Sequence, residues 1–181
     1  MLSPNAGVKP NPALQGRRPR TQGLCLQIEQ VLNIGIGSGM NVGVEIIGPV
    51  VALVAWSMIM WIWMFAVRIP AISSVKMKLD PNAPRGAQMS TLPAKARWKA
   101  DNYNHLMEQP TIFYALAISL ALIGEGSGAN LYLAWTYVAL RIIHSLVQSL
   151  LNNIELRFVI FVLSNIPLFV LTINAARFFI N

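Results

Sequence analysis

The sequence predicts an all-α membrane protein built as a bundle of four transmembrane helices. Three observations support this: 55% of the 181 residues are hydrophobic, only 12% are charged, and the mean hydropathy is +0.52. A soluble domain carries about 25% charged residues, so this chain has too few charges to cover a surface exposed to water. A soluble globular domain, a disordered chain, a coiled coil and a disulfide scaffold are therefore excluded. The length leaves room for about four spans with short connections.

Four hydrophobic segments separated by polar connections define the predicted spans. The first span, residues 46–67, has no charge over about 33 Å of helical rise, which matches the hydrocarbon core. A polar connection, 68–97, is rich in Lys and Arg, so the positive-inside rule predicts that this loop is cytoplasmic. The remaining spans are predicted at 98–123, 131–151 and 158–180.

The N-terminal region differs from the spans in composition. Residues 1–43 are rich in Pro, Gly and basic residues and lack helical periodicity, so we expect a flexible tail, followed by a membrane domain at 44–181. Glu29 interrupts the apolar stretch of the tail and no A-x-A-like site follows, which argues against a secretory signal. A second interpretation is that translation begins at Met40, directly before the first hydrophobic run.

The chain is basic, with a formal net charge of +7. The basic residues collect beside hydrophobic runs, so membrane topology and lipid headgroups account for them. No platform of interleaved basic and aromatic residues is present, and we expect no nucleic acid partner.

Polar residues recur at helical spacing in the second and third spans. In the second span these residues are Arg97, Asp101, Asn104, His105 and Glu108; in the third they are Tyr137, Arg141, His144, Ser145, Gln148 and Asn152. Each set is expected to occupy one helix face. The two faces are predicted to meet each other or a neighbouring subunit, with Arg141 and Glu108 neutralising each other's charge.

Two interpretations of these polar faces remain open. Interhelical hydrogen bonds could hold packed helices or an oligomer together. Alternatively, ionisable residues within a membrane mark a ligand site. Such a site suits an anionic, amphipathic ligand, with arginines binding carboxylates and neutral polar groups binding amides. The arginines are Arg97, Arg141 and Arg157, and the neutral candidates are Asn104, His105, Gln148 and, beside them, His144.

Other chemistries have weaker support in the sequence. His105, Glu108, Asp101 and His144 could approach metal-ligand spacing, but nearby Arg141 would repel a cation, so no metal is expected. The single cysteine, Cys25, lies in the tail, and no serine has the setting of a nucleophile. A transporter usually needs more spans and internal repeats.

Several of these features together resemble a known family. The ordered features are the uncharged first span, the basic loop, ADNYNHLMEQPTIFYAL in the second span, YVALRIIHSLVQSLLNN in the third, and a short turn into Arg157. Over residues 44–180 the sequence resembles the MAPEG family, the membrane-associated proteins in eicosanoid and glutathione metabolism, and in particular an uncharacterised bacterial branch. The resemblance implies a four-helix protomer in a homotrimer, with ligand sites between subunits, in the bacterial inner membrane.

The resemblance also implies roles for individual residues. Glu108 and Arg141 match a glutamate and an arginine of the second and third helices, and His105 stands where those enzymes often have asparagine. Arg157 matches the arginine that stabilises the glutathione thiolate and is the candidate catalytic residue.

Three positions depart from the family's pattern. Asp101 stands where the glutathione-binding members commonly have arginine, and His144 and Gln148 stand where some have tyrosine. An acid at position 101 would repel a glutathione carboxylate unless Arg97 or Lys99 neutralises it.

The resemblance leads to one hypothesis and one alternative. The hypothesis is a glutathione-dependent transferase or peroxidase with glutathione as co-substrate, acting on lipophilic electrophiles, with lipids and its own copies as partners. The alternative is a non-enzymatic accessory or assembly subunit whose polar faces serve oligomer packing.

Overall fold

A computed structural model describes residues 43–84 and 86–180. Within these ranges the regular structure is helical, which confirms the predicted all-α class. Five α-helices follow in order: α1 (Ile47–Ser74), α2 (Ala94–Glu108), α3 (Pro110–Leu122), α4 (Gly128–Leu150) and α5 (Ile154–Ile180). Short 3-10 helices occupy Val44–Ile46 and Met89–Thr91. The predicted tail at 1–43, with its alternative start at Met40, lies outside the described residues except for Gly43.

The second predicted span consists of two helices. Pro110 is the first residue of α3, and because proline has no N–H it cannot continue the hydrogen-bond ladder of α2. Gln109 between them keeps helical backbone angles (φ −73°, ψ −38°) and donates its N–H to the His105 carbonyl at 3.3 Å. The predicted second span at 98–123 is therefore divided at Gln109 and Pro110, with α2 carrying its polar half and α3 its apolar half.

The outer helices are longer than the sequence predicted. α1 continues past Arg68 and Pro70 to Ser74, so the connection to α2 is shorter than the predicted 68–97 loop. By length and composition, two segments of the described chain could cross a membrane: Val44–Ser74 and Ile154–Ile180. Both expose large apolar side chains, such as Ile62 (60% exposed) and Phe169 (69% exposed), a surface that suits lipid better than water.

The helices pack as a bundle of four rods, with α2 and α3 forming one rod between them. α4 packs along α5 and against α2, α1 packs on α2 and α4, and α3 contacts α5. The apolar core runs between the rods and includes Leu53, Met60, Phe113, Leu120 and Leu171. Phe113 of α3 stacks on Tyr137 of α4 with ring centroids 4.5 Å apart.

Two glycines allow a close backbone contact at one end of the bundle. Gly43, which precedes α1, has φ +98°, a left-handed conformation that glycine adopts without strain. A Cβ atom on Gly126, in the α3–α4 loop, would overlap the carbonyl oxygen of Gly43. The entry into α1 is thus packed directly on the α3–α4 loop.

Candidate functional site

The polar side chains of α4 share one buried face. Tyr137, Arg141, His144, Ser145 and Gln148 are all buried, and Arg141 and Tyr137 are 0% exposed. Their spacing places them on one side of the helix, and that side faces α2 and α5 inside the bundle. The outward face of α4 carries exposed apolar residues such as Trp135 and Ile143.

The polar side chains of α2 do not share one orientation. Arg97, Asp101, Asn104 and Glu108 are exposed on the chain, whereas His105 is half-buried toward α4. Adjacent residues of an α-helix point about 100° apart, so Asn104 and His105 can face different neighbours. The prediction that His105 shares a face with the other four residues is wrong. Within one chain the face of those four residues does not meet α4, and its contact with a neighbouring subunit stays a prediction.

Arg141 contacts His105 rather than Glu108. One guanidinium nitrogen lies 3.4 Å from His105 Nε2, and another donates to the His105 backbone carbonyl at 3.4 Å. A guanidinium only donates hydrogen bonds, so this contact requires His105 Nε2 to be the acceptor. The predicted Arg141–Glu108 pair is wrong within one chain, because Arg141 points into the core and Glu108 points outward.

His105, His144 and Arg157 line a pocket of about 230 Å³, which we call the histidine pocket. Its remaining walls are Ile154, Phe158 and Phe161 of α5. The two imidazole centroids are 5.0 Å apart, and the Phe161 ring lies 5.5 Å from His105. The pocket therefore combines a cationic side chain and two imidazoles with an apolar aromatic wall.

The turn between α4 and α5 positions Arg157. Asn152 adopts a left-handed backbone conformation (φ +48°), and its Oδ1 accepts a hydrogen bond from Arg157 at 2.6 Å. Asn153 Oδ1 accepts from the Leu156 N–H at 3.0 Å and caps α5. Because of this cap, α5 begins at Ile154 rather than at the predicted residue 158, and Arg157 stands in its first turn.

A second pocket, of about 410 Å³, lies on another side of α2, and we call it the α1–α2 pocket. It is lined by Arg68 of α1 and by Arg97, Asp101 and Asn104 of α2. The connecting segment adds Ser90 and neighbouring residues. Two of the predicted ligand-binding residues, Arg97 and Asn104, thus lie apart from the histidine pocket.

Three predicted residues, Arg141, Gln148 and Glu108, line neither pocket, although Arg141 contacts His105 at the edge of one. Gln148 is 2% exposed, and its Oε1 is buried without a hydrogen-bond partner in the described chain. Glu108 lies on the outer surface at the end of α2. The structure thus brings together His105, Arg141, His144 and Arg157, and it leaves Arg97, Asn104, Glu108 and Gln148 elsewhere. Within the described ranges, no three His, Cys, Asp or Glu side chains could hold a metal ion together.

Sequence reasoning missed a chain of hydrogen bonds that joins three helices beside Arg141. Tyr137 Oη donates to Gln109 Oε1 at 2.7 Å, and Gln109 Nε2 donates to Asn165 Oδ1 at 2.8 Å. Asn165 in turn donates to the Phe161 carbonyl at 2.8 Å. The available signals were two amides in apolar surroundings, Gln109 directly before Pro110 and Asn165 within FVLSNIPLF.

A second missed group connects α2 to α4. Asn102 Nδ2 donates to Ser145 Oγ at 2.8 Å, and Lys99 Nζ donates to the Ser149 carbonyl at 3.2 Å. The Lys99 ammonium also lies 4.9 Å from the centre of a Trp63 ring. These contacts show that α2 buries the side that carries residues 99, 102 and 106. The sequence prediction had placed the functional face of α2 on a different side.

This geometry defines a class of protein: a helical bundle with lipid-compatible outer surfaces and a buried cluster of arginine, histidine and amide side chains. A family model described as the MAPEG family matches residues 46–177. The chain belongs to this family of helical membrane proteins, and the predicted four-helix membrane bundle is confirmed. No curated protein and no solved structure matches the chain.

Proposed function

We propose that the protein is a glutathione-dependent membrane enzyme, a transferase or peroxidase that acts on lipophilic electrophiles. The family includes glutathione-dependent enzymes and non-enzymatic members. The observation that carries the proposal is the histidine pocket, where a hydrogen-bonded Arg157 faces two imidazoles and an aromatic wall. Few structural roles require a cation, two histidines and a cavity in one place.

The chemistry requires an activated thiol beside an apolar co-substrate. The thiolate, not the thiol, is the nucleophile, and a guanidinium next to the sulfur favours the thiolate. Asn152 holds the Arg157 guanidinium in one position, so little reorganisation is needed when the anion binds. In a transferase reaction the sulfur forms a bond to the electrophilic carbon, and the displaced electron pair leaves with the departing group or takes up a proton.

The apolar co-substrate has a direct route from the lipid. Phe158 lines the pocket and is 65% exposed on the outer surface of α5, and Leu156 and Val159 beside it are exposed as well. A lipophilic molecule can therefore reach the pocket laterally, without crossing an aqueous layer.

The remaining predicted residues fit a site completed by a second subunit. In one chain, α2 separates Arg97 and Asn104 in the α1–α2 pocket from Arg157 in the histidine pocket. In the homotrimer that we propose, the exposed face of α2 in one subunit would meet the histidine pocket of its neighbour. Glu108, exposed on the same face, would then lie at the subunit interface. The proposed location is a bacterial inner membrane, with the α1–α2 connection in the cytoplasm.

Glutathione binding tests the proposal directly. Purified protein in detergent is titrated with glutathione by calorimetry, alongside Arg157→Ala and the control Arg177→Ala. Arg177 is an exposed arginine near the other end of α5, so its loss changes the net charge equally. We expect saturable binding that weakens at least tenfold in Arg157→Ala and is unchanged in the control. No binding at millimolar glutathione would remove the proposal.

A non-enzymatic packing role is the second candidate. The observation in its favour is that Tyr137, Gln109, Asn165, Asn102 and Ser145 are already engaged in hydrogen bonds between helices. Native mass spectrometry of Arg141→Ala separates the candidates. Dissociation of the oligomer with no bound thiol in the wild type would favour packing, whereas an intact oligomer that loses a bound small molecule would favour the enzyme.

A further inference from the structure

The α1–α2 pocket carries charges of both signs. Arg68 of α1 is half-buried, and Arg97 and Asp101 of α2 are exposed one helical turn apart. Asn104 continues the same side of α2 and adds an amide. Among the described residues, no side-chain hydrogen bond engages any of these four groups, so their donors and acceptors are available to a ligand in the pocket.

This combination of charges suits one kind of ligand better than others. Two guanidiniums favour a carboxylate or a phosphate, which they can bind in a bidentate manner. The Asp101 carboxylate repels a ligand that carries only negative charge, but it accepts hydrogen bonds from an ammonium group. A ligand with an ammonium beside an anionic group can bind the two arginines through its anion and Asp101 through its ammonium.

We propose that Asp101 determines specificity in the α1–α2 pocket by selecting a zwitterion, an ammonium group next to an anion. Resting on the proposed function, this assigns the γ-glutamyl end of glutathione to the pocket, because that end has an ammonium and a carboxylate on one carbon. An ethanolamine phospholipid headgroup has the same chemistry, an ammonium beside a phosphate. Asp101 thus contributes to binding by accepting hydrogen bonds from the ligand's ammonium group, although it repels a ligand that carries only negative charge.

The test compares glutathione with an analogue that lacks only the ammonium. Glutarylcysteinylglycine has the same backbone and both carboxylates but a hydrogen in place of the α-amino group. Both are titrated by calorimetry into the wild type, Asp101→Asn, Asp101→Glu and the control Glu125→Gln. Glu125 is an exposed acid in the α3–α4 loop, outside the α1–α2 pocket, so its variant has the same net charge as Asp101→Asn.

We expect the wild type to bind glutathione about tenfold more tightly than the analogue, the effect of one charge-assisted hydrogen bond near the surface. Asp101→Asn should abolish this preference, whereas Asp101→Glu and Glu125→Gln should keep it. Because the Asp101 side chain makes no hydrogen bond within the described chain, all variants should elute at the wild-type position on size exclusion. Equal binding of both thiols to the wild type, or an unchanged preference in Asp101→Asn, would overturn the inference and leave the proposed function standing.

A lipid experiment covers the case in which no thiol binds and the proposed function fails. Native mass spectrometry then compares retention of ethanolamine and glycerol phospholipids, which differ in the ammonium group. A preference for the ethanolamine lipid that Asp101→Asn removes would support a zwitterion site for lipid. Equal retention of both lipids would overturn the inference as well.

Discussion

The hydrogen bonds of Gln109 are expected to couple three helices, and replacing this residue tests that coupling. Gln109 accepts from Tyr137 at 2.7 Å and donates to Asn165 at 2.8 Å, so it connects α4 to α5 across the break between α2 and α3. The change Gln109→Leu keeps a side chain of similar size and removes both bonds. Tyr137→Phe removes only the first.

The size of the effect follows from the number of bonds lost. An interhelical hydrogen bond within a bilayer contributes about 0.6 kcal/mol on average and about 1.7 kcal/mol at most. We therefore expect Tyr137→Phe to lower the free energy of unfolding by about 0.6 kcal/mol and Gln109→Leu by about 1.2 kcal/mol. The leucine variant also leaves Asn165 Oδ1 without a donor inside the bundle, which adds to this cost.

Reversible unfolding in mixed micelles of a mild detergent and dodecyl sulfate measures these free energies. The matched control is Gln88→Leu in the α1–α2 connection, where the glutamine donates to the Lys78 carbonyl in a bond exposed to water. That change should leave the unfolding free energy almost unaltered. If Gln109→Leu lowered the unfolding free energy no more than Tyr137→Phe, the Gln109–Asn165 hydrogen bond would contribute nothing to stability. That result would refute the predicted coupling of α4 to α5 through Gln109.

Two further predictions follow from backbone geometry. Gly126→Ala places a methyl group against the Gly43 carbonyl and should cost about 1–3 kcal/mol in thermal or detergent unfolding. Gly48→Ala, whose Cβ would have ordinary contacts, should cost nothing, and equal losses in both would contradict the close contact. Asn152→Gly and Asn152→Ala both remove the hydrogen bond to Arg157 and should weaken glutathione binding equally. Only the alanine variant should also lower the free energy of unfolding, by about 1 kcal/mol, because alanine is strained in the left-handed backbone conformation of this residue. Wild-type affinity in either variant would show that Asn152 does not position Arg157.

The spans illustrate how far composition and periodicity can lead. The uncharged segment at 46–67 had to be helical and in contact with lipid, because the unpaired backbone groups of any other structure would be costly there. The ends of the spans were less predictable. α5 begins early because Asn153 caps it, and α2 ends at Glu108 because Pro110 lacks an N–H group.

In the candidate site, residue spacing predicted the buried face correctly on α4 but not on α2. The spacing of residues 137, 141, 144 and 148 predicted one polar face on the third span, and that face is buried as a unit. Spacing failed on α2, where residues 97, 101, 104 and 108 point outward and residues 99, 102 and 106 point inward. Both sets have helical periodicity, so periodicity alone could not decide between them.

Sequence by itself determined the helical class, the number of hydrophobic rods and the polar composition of the second and third spans. Those properties depend on local chemistry: hydrocarbon length, side-chain polarity and helical repeat. Tertiary structure decided that Arg141 meets His105, that Arg157 shares a pocket with two histidines, and that Asp101 lies with Arg68 and Arg97 elsewhere. The helical repeat sets only the angles between side chains on one helix, whereas their partners depend on how that helix is rotated against its neighbours.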